Sequence, residues 1–273
     1  MIINPYAFGV SYDPDAQAFF TASGLTGATN LTAINNLVIA LKGYGIWTKM
    51  KAIYPFIGGT AALHKWNLKD PQDTNAAFRL VFNGGWSHAS TGATPNGVNG
   101  WANTYFNPAT NSIVANYNHI SYYSRTSAAG SNALNQFYEI GMSGTNGFTS
   151  DIFGLYSRRQ GDTAAYDCGV FVNNRNSVTN TNGQGFYLGK TNNDLTSKYY
   201  KSGTLLGTKS ITAQNLASYN VYLGGLNDLN SIIYYSNKQC AFASIGDGLS
   251  DTEAANFYTA VQNFNTALNR QVV

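Results

Sequence analysis

The chain has 273 residues, 44% of them hydrophobic but only 11% charged, against about a quarter charged in an ordinary domain. A net charge of +3 without any basic run excludes a partner recognised through a nucleic-acid backbone, and no stretch reaches the about 18 apolar residues of a membrane-spanning helix. Uncharged polar side chains must therefore keep the surface wet, and 19 Tyr, 15 Phe and 28 Gly describe a β-rich chain with many tight turns.

The opening MIINPYAFGV has neither a charged n-region nor a long apolar run, so no signal peptide is expected. The first fifty residues read as helices. DPDAQAFFTASG offers Asp13 as N-cap, Pro14 at the first helical position and Gly24 as the stop. NLTAINNLVIALKG then lines Leu31, Ile34, Leu37, Val38 and Leu41 on one face, with Gly43 as terminator, and a third short turn carries Ile46, Trp47 and Met50. Lys42, Lys49, Lys51, Lys65 and Lys69 follow one another with no acidic residue between them, which reads as a solvated face before an anionic partner site.

From Lys51 the period changes to short runs rich in β-branched and aromatic residues, such as KAIYPFIGG, AFRLVFNGG, HISYYSRT, GFYLGKT and CAFASIG, bounded by Gly, Asn, Pro or Ser. In AFRLVF the alternation predicts Phe78, Leu80 and Phe82 on one face of a strand. These signals predict a mainly β chain, an antiparallel sandwich or barrel over residues 51–273, behind a helical segment over 1–50. Cys168 and Cys240 sit among apolar neighbours as small hydrophobes, and whether they pair stays open.

Near the end, GDGLSDTE poses a choice between a calcium loop and a helix start. Asp247 and Asp251 are four apart and Glu253 comes too soon for a 12-residue EF-hand loop. Ser250-Asp251-Thr252-Glu253 matches the capping box instead, and Ala254, Phe257, Val261, Phe264 and Leu268 follow at steps of three and four. A helix over 250–268 is predicted, with Asn269 as its left-handed stop.

The run YYSNKQCAFASIGDGLSDTEAANFYTAVQNFNTAL resembles the closing strands and helix of laminin-G-like, concanavalin A-like jelly rolls of bacteriophage virion proteins. KYYKSGTLLGTKSITAQNLASYNVYLGG is similar to the hairpin and "YLGG" strand of the same sandwiches, with Gly203 at the hairpin and Tyr222-Leu223-Gly224 in the strand. LKGYGIWTKMKAIYPFIGGTAALHKWNLKDPQDTNAAFRLVFNGGW resembles the front half of that group. The resemblance covers about residues 30 to 270. It implies a jelly roll on a virus particle, in a fibre, spike or capsid-surface protein, with other virion proteins as partners. Homo-oligomers, trimers by analogy with viral fibres, agree with the low charge.

Some concanavalin A-like proteins hydrolyse glycosides, which takes two carboxylates about 5 to 10 Å apart. Glu139 and Glu253 are the only glutamates; the cap uses Glu253, and Glu139 has no acid two or four residues away. Asp151, Asp162 and Asp167 lie in a stretch that reads as strands and turns, so no enzyme is expected. His64, His88 and His119 lack ligand spacing, and there is neither G-x-S-x-G nor a phosphate loop. No cofactor is expected. The laminin-G-like resemblance allows calcium in rim loops, through Asp162, Asp167, Asp194 or Asp228, but no spacing supports it.

Binding is the stronger case. A sugar stacks its apolar face on an aromatic ring and gives its hydroxyls to amides and guanidinium groups. NGGWSHASTGATPNGVNGWANTYFNP places Trp86, His88, Trp101, Asn103 and Tyr105 in what reads as loop. Tyr122, Tyr123 and Arg125 in SYYSRTS are further candidates, since adjacent strand residues point to opposite faces and one tyrosine should reach the outer surface. The Arg158-Arg159 doublet is marked as well. The expectation is a non-catalytic virion surface protein that attaches to a host glycan. A purely structural virion role is the alternative, and a depolymerase a distant third.

Overall fold

A computed structural model describes residues 11–129, 138–144, 151–170 and 174–272. Asp13 caps α1 (Pro14–Ser23) by accepting from the Asp15 N–H, Pro14 sits in the first turn, and Gly24 closes the helix at φ 70°. Helix α2 (Ala28–Gly43) buries Ala33, Ile34, Leu37, Val38 and Leu41, and Gly43 is its last residue, the left-handed turn falling to Gly45. A 3₁₀ turn (Trp47–Lys49) leads into β1 (Met50–Tyr54), and a four-residue α3 (Ala61–His64) follows.

The remaining strands are β2 (Val81–Asn83), β3 (Trp86–Ala89), β4 (Gly92–Pro95), β5 (Trp101–Asn103), β6 (His119–Ser124), β7 (Ile140–Ser143), β8 (Asp151–Arg159) and β9 (Thr163–Val170). Then come β10 (Asn176–Thr179), β11 (Gly185–Lys190), β12 (Thr196–Lys201), β13 (Thr204–Ser210), β14 (Tyr222–Leu223), β15 (Leu226–Asp228), β16 (Ser231–Ile233) and β17 (Cys240–Gly246). Helix α4 (Asp251–Ala267) completes the described elements.

Two sheets face each other. One runs β13-β12-β11-β6-β17-β4-β3, with β1 also on β17; the other runs β10-β9-β8-β7-β14-β5-β2, with β15 and β16 attached. Pairing is antiparallel except between β15 and β7. The expected antiparallel sandwich, with helices before it and one after it, is what the chain forms. Between the sheets lie Tyr122, Tyr187, Ala243 and Ile245 from the first and Ile140, Phe153, Leu155, Tyr166 and Leu223 from the second. Buried tyrosines are tolerable because their hydroxyls find acceptors: Tyr199 donates to the Tyr156 carbonyl at 2.9 Å, Tyr187 to that of Asn182 at 2.8 Å, and Tyr166 to Asn118.

The outer face of the first sheet is covered by helices. Phe186 and Phe242 meet Phe257 of α4 at 5.3 and 5.9 Å, and α1 and α2 close the same apolar cluster. Strand alternation brings this about, with one correction: a bulge between Cys240 and Phe242 shifts the pleat, so Cys240 faces the inter-sheet core while Phe242 faces the helices. The predicted capping box forms as read, with Ser250 accepting from the Glu253 N–H at 3.2 Å and Glu253 accepting from the Ser250 N–H at 2.7 Å. Asn269 takes φ 52° at the stop. Just beyond, the fully buried Arg270 donates to the carbonyls of Phe56, Pro55 and Ala241 at 2.6, 2.7 and 2.8 Å. It thereby clips the C-terminal turn to β1 and β17.

AFRLVF is shorter as a strand than its alternation suggests. A 3₁₀ turn at Asn75–Ala77 ends on Phe78 in left-handed geometry, φ 59°, so pairing begins only at Val81.

Candidate functional site

The segment expected as loop contains three short strands. From β2 the chain passes through Gly84 and Gly85 into β3 of the other sheet, turns through β4, and returns as β5. Glycine is required at position 84: φ is 66°, and a Cβ there would lie 1.9 Å from the Asn99 carbonyl oxygen. The return is fixed by Asn96, whose Oδ1 accepts the N–H groups of Val98, Asn99 and Gly100 at 2.9 to 3.0 Å.

On β5 the pleat decides which candidates face a ligand. Ala102 faces the core with Phe82 and Leu223, so Trp101 and Asn103 face outward. Asn103 pairs with Tyr222 of β14, and the Trp101 and Tyr222 rings stack at 4.3 Å and 29°. Tyr105 turns back at φ 56° and donates its N–H to Asn103 Oδ1 at 2.8 Å, which fixes the amide plane. Tyr105 lies near enough to Tyr222 to raise the Tyr222 phenol's pKa, after burial, the larger cause. Trp101, Asn103 and Tyr105 of the expected set thus come together, and Tyr222 joins them. No local signal in the sequence marked Tyr222, because its partner lies over a hundred residues away in the chain.

Trp86 and His88 form a second cluster at the edge, beside the first. Trp86 Nε1 donates to the Trp101 carbonyl at 3.1 Å, and its ring lies where a Cβ on Gly224 would approach to 2.9 Å. Phe82 meets Trp86 at 5.1 Å and His88 at 4.8 Å. The sequence reading kept the histidines apart, yet His64 and His88 place their Nδ1 atoms 2.9 Å from each other. Gly59 N–H donates to His64 Nε2 at 3.2 Å, so His64 carries its proton on Nδ1 and donates it to His88. Burial, with help from His88 and Arg270, pushes the His64 pKa down to about 3. A metal on these Nδ1 atoms would need the proton moved to Nε2, against the Gly59 N–H. Among the described residues no three His, Cys, Asp or Glu side chains gather as a metal cage.

Tyr122, Tyr123 and Arg125 do not belong to this surface. Both tyrosines are buried, contrary to the expectation that one would reach solvent. Tyr122 faces the inter-sheet core and donates to the Lys238 carbonyl at 2.8 Å. Tyr123 does point outward from the sheet, but α4 covers it, and its hydroxyl donates to Gln262 at 2.9 Å. Arg125 donates to the Arg270 carbonyl and to Gln239 at 2.7 and 2.6 Å. Arg158 is held by Asp162 at 2.8 Å and Arg159 by Thr163 at 2.5 Å. The strand pattern gave the two faces of the YY pair correctly; that a helix would lie over one of them is a tertiary fact.

The carboxylates have partners of their own. Glu139 forms an ion pair with Lys238 at 2.6 Å, both fully buried, and its other oxygen accepts the Ser157 N–H at 2.5 Å. Burial raises its pKa while Lys238 opposes the shift. Glu253 joins its cap to Lys49 at 2.7 Å, and Asp167 holds Arg175 at 2.8 Å. Of the lysine series, Lys42, Lys49, Lys51 and Lys65 reach Asp13, Glu253, Asp247 and Asp73, while Lys69 rests 4.4 Å over the Trp47 ring. Cys168 and Cys240 are free thiols, buried and pushed up in pKa by burial.

No protein-family model matches the chain, and no curated protein does. Solved structures do. A mutant of Trypanosoma rangeli sialidase displaying trans-sialidase activity is 12% identical at a TM-score of 0.52, over 86% of this chain and 39% of that one. The Ruminococcus gnavus IT-sialidase CBM40 bound to alpha2,6 sialyllactose is 17% identical at 0.40, over 55% and 86%. NanB sialidase from Streptococcus pneumoniae is 13% identical at 0.41, over 55% and 25%. The chain thus spans well under half of either sialidase. The likeness to the first is one of fold, a β-sandwich.

Proposed function

We propose that this chain is a non-catalytic glycan-binding β-sandwich, carried on a phage particle and attaching it to its host's surface. The observation that carries the reading is the half-exposed Trp101 ring, stacked on the buried Tyr222 beside Asn103 and Tyr105, on the outer face of the sheet opposite the one that the described helices cover. Indole and phenol rings offer a flat apolar surface at little entropic cost, and the neighbouring amide supplies directional hydrogen bonds. The non-catalytic part is supported by the commitment of Glu139 to Lys238 and of Glu253 to the helix cap. The virion setting rests on the sequence resemblance.

The test is binding of the purified protein to host-surface polysaccharides and intact host cells. Trp101→Ala should weaken saturable binding at least about tenfold with the fold retained. Tyr123→Phe, beneath α4, should leave binding unchanged. Absence of binding to any cell or glycan at high protein concentration would remove the attachment reading and leave a structural virion component.

A further inference from the structure

We infer that the Trp101 platform, the half-exposed indole backed by the buried Tyr222, takes an uncharged, hydroxyl-rich saccharide rather than a sialylated or uronic one; this rests on the glycan-binding reading above. The register of the sheet lays out what a ring stacked there would touch. One outward row crosses the strands as Val81, Asn103, Tyr222, Gly141, Gly154 and Asp167. In the neighbouring row Asn83 stands directly opposite Trp101. Within one strand of Trp101 the outward groups are thus indole, amide and aliphatic, with the Tyr222 phenol buried behind the indole.

Cations on this side of the molecule are committed elsewhere. Lys238 is fully buried against Glu139 at 2.6 Å. Arg79 reaches Asp73 at 3.4 Å. Arg175 is held by Asp167, whose strand β9 is four positions from β5, about 19 Å at the usual spacing between strands. A sugar carboxylate is normally met by a guanidinium or ammonium group, and giving up its water without one is costly. A neutral pyranose has no such need. Its apolar face covers the indole, and its hydroxyls exchange hydrogen bonds with the amides of Asn83 and Asn103 and the phenol of Tyr105.

The experiment titrates the whole chain against three probes: a neutral hexose polysaccharide panel, sialyllactose and a uronic-acid polysaccharide. Each is measured at about 50 and 500 mM NaCl, with Trp101→Ala alongside. The expected result is binding to a neutral member of the panel that changes less than about twofold with salt and falls at least about tenfold in Trp101→Ala. Binding confined to the acidic probes and weakened by salt overturns this inference while leaving glycan binding intact. Neutral binding indifferent to Trp101→Ala overturns the placement. No binding to any probe overturns the underlying reading as well.

Discussion

His119 is wholly enclosed, with Nδ1 2.6 Å from the Asp247 carbonyl and its ring edge-on to Phe257. Burial dominates the partly compensating hydrogen bond and lowers its pKa from 6.5 to about 4. The unfolded chain therefore binds more protons than the folded one between those values. Stability is complete above the ordinary pKa and is lost as pH falls toward 4, on the order of 2–3 kcal/mol by that point. His64 acts in the same sense. Urea unfolding at pH 7, 5.5 and 4 should show the midpoint falling, and His119→Gln should flatten the fall. A midpoint independent of pH would contradict a neutral, buried His119. At this scale the sequence is uneven. Ser250 and Glu253 declare their partnership because it spans one helical turn, whereas His64 and His88 meet only once a four-residue helix and an edge strand are brought together.

Among the elements, α4 is the most self-determined. Its capping box satisfies two terminal N–H groups, and Asp251 in its first turn bonds Lys190, Lys198 and Tyr200 of the sheet below. Ser250→Ala should cost about 1 kcal/mol in urea unfolding, the usual worth of such a cap. A loss well below a few tenths would mean that sheet contacts alone hold the helix. Strand β2 shows the opposite case. Six residues of apolar alternation serve equally for a strand or for a turn followed by half a strand, and the left-handed Phe78, packed at 5.0 Å on Phe106, selects the second. The stretch from Trp86 to Asn103 looked like loop because Gly, Asn and Thr are frequent in it. Its strands are only three or four residues long, and the Asn96 turn accounts for much of that composition.

For the whole molecule, the helices and the sandwich share apolar surface rather than standing side by side. Ile34, Leu37 and Leu41 of α2 lie in one cluster with Phe257 and Phe264 of α4 and Phe186 and Phe242 of the sheet. At roughly 1.5–3 kcal/mol for each large apolar side chain buried, that seam exceeds what either part could lose and remain folded. Far-ultraviolet and near-ultraviolet circular dichroism should therefore report a single, coincident unfolding transition. Two separated transitions would show that the first fifty residues fold on their own. The sandwich itself was legible in turn-bounded strand runs, and so were the helices in their caps and periods. Which sheet face the helices would cover was not, since both sheets expose alternating apolar positions to whatever layer arrives. That choice also bears on the proposed site, by leaving Trp101 half-exposed over the buried Tyr222 and hiding Tyr123.

The clip made by Arg270 has a mechanical meaning. Tension applied beyond Val272 reaches the guanidinium before it reaches α4, and the load passes into the backbone of Pro55, Phe56 and Ala241 at once. Several hydrogen bonds strained together resist shear far better than helix turns peeled one at a time. A pull on this end would act against β1 and β17, in the middle of the sheet, while Trp101 on the opposite sheet stays unstrained.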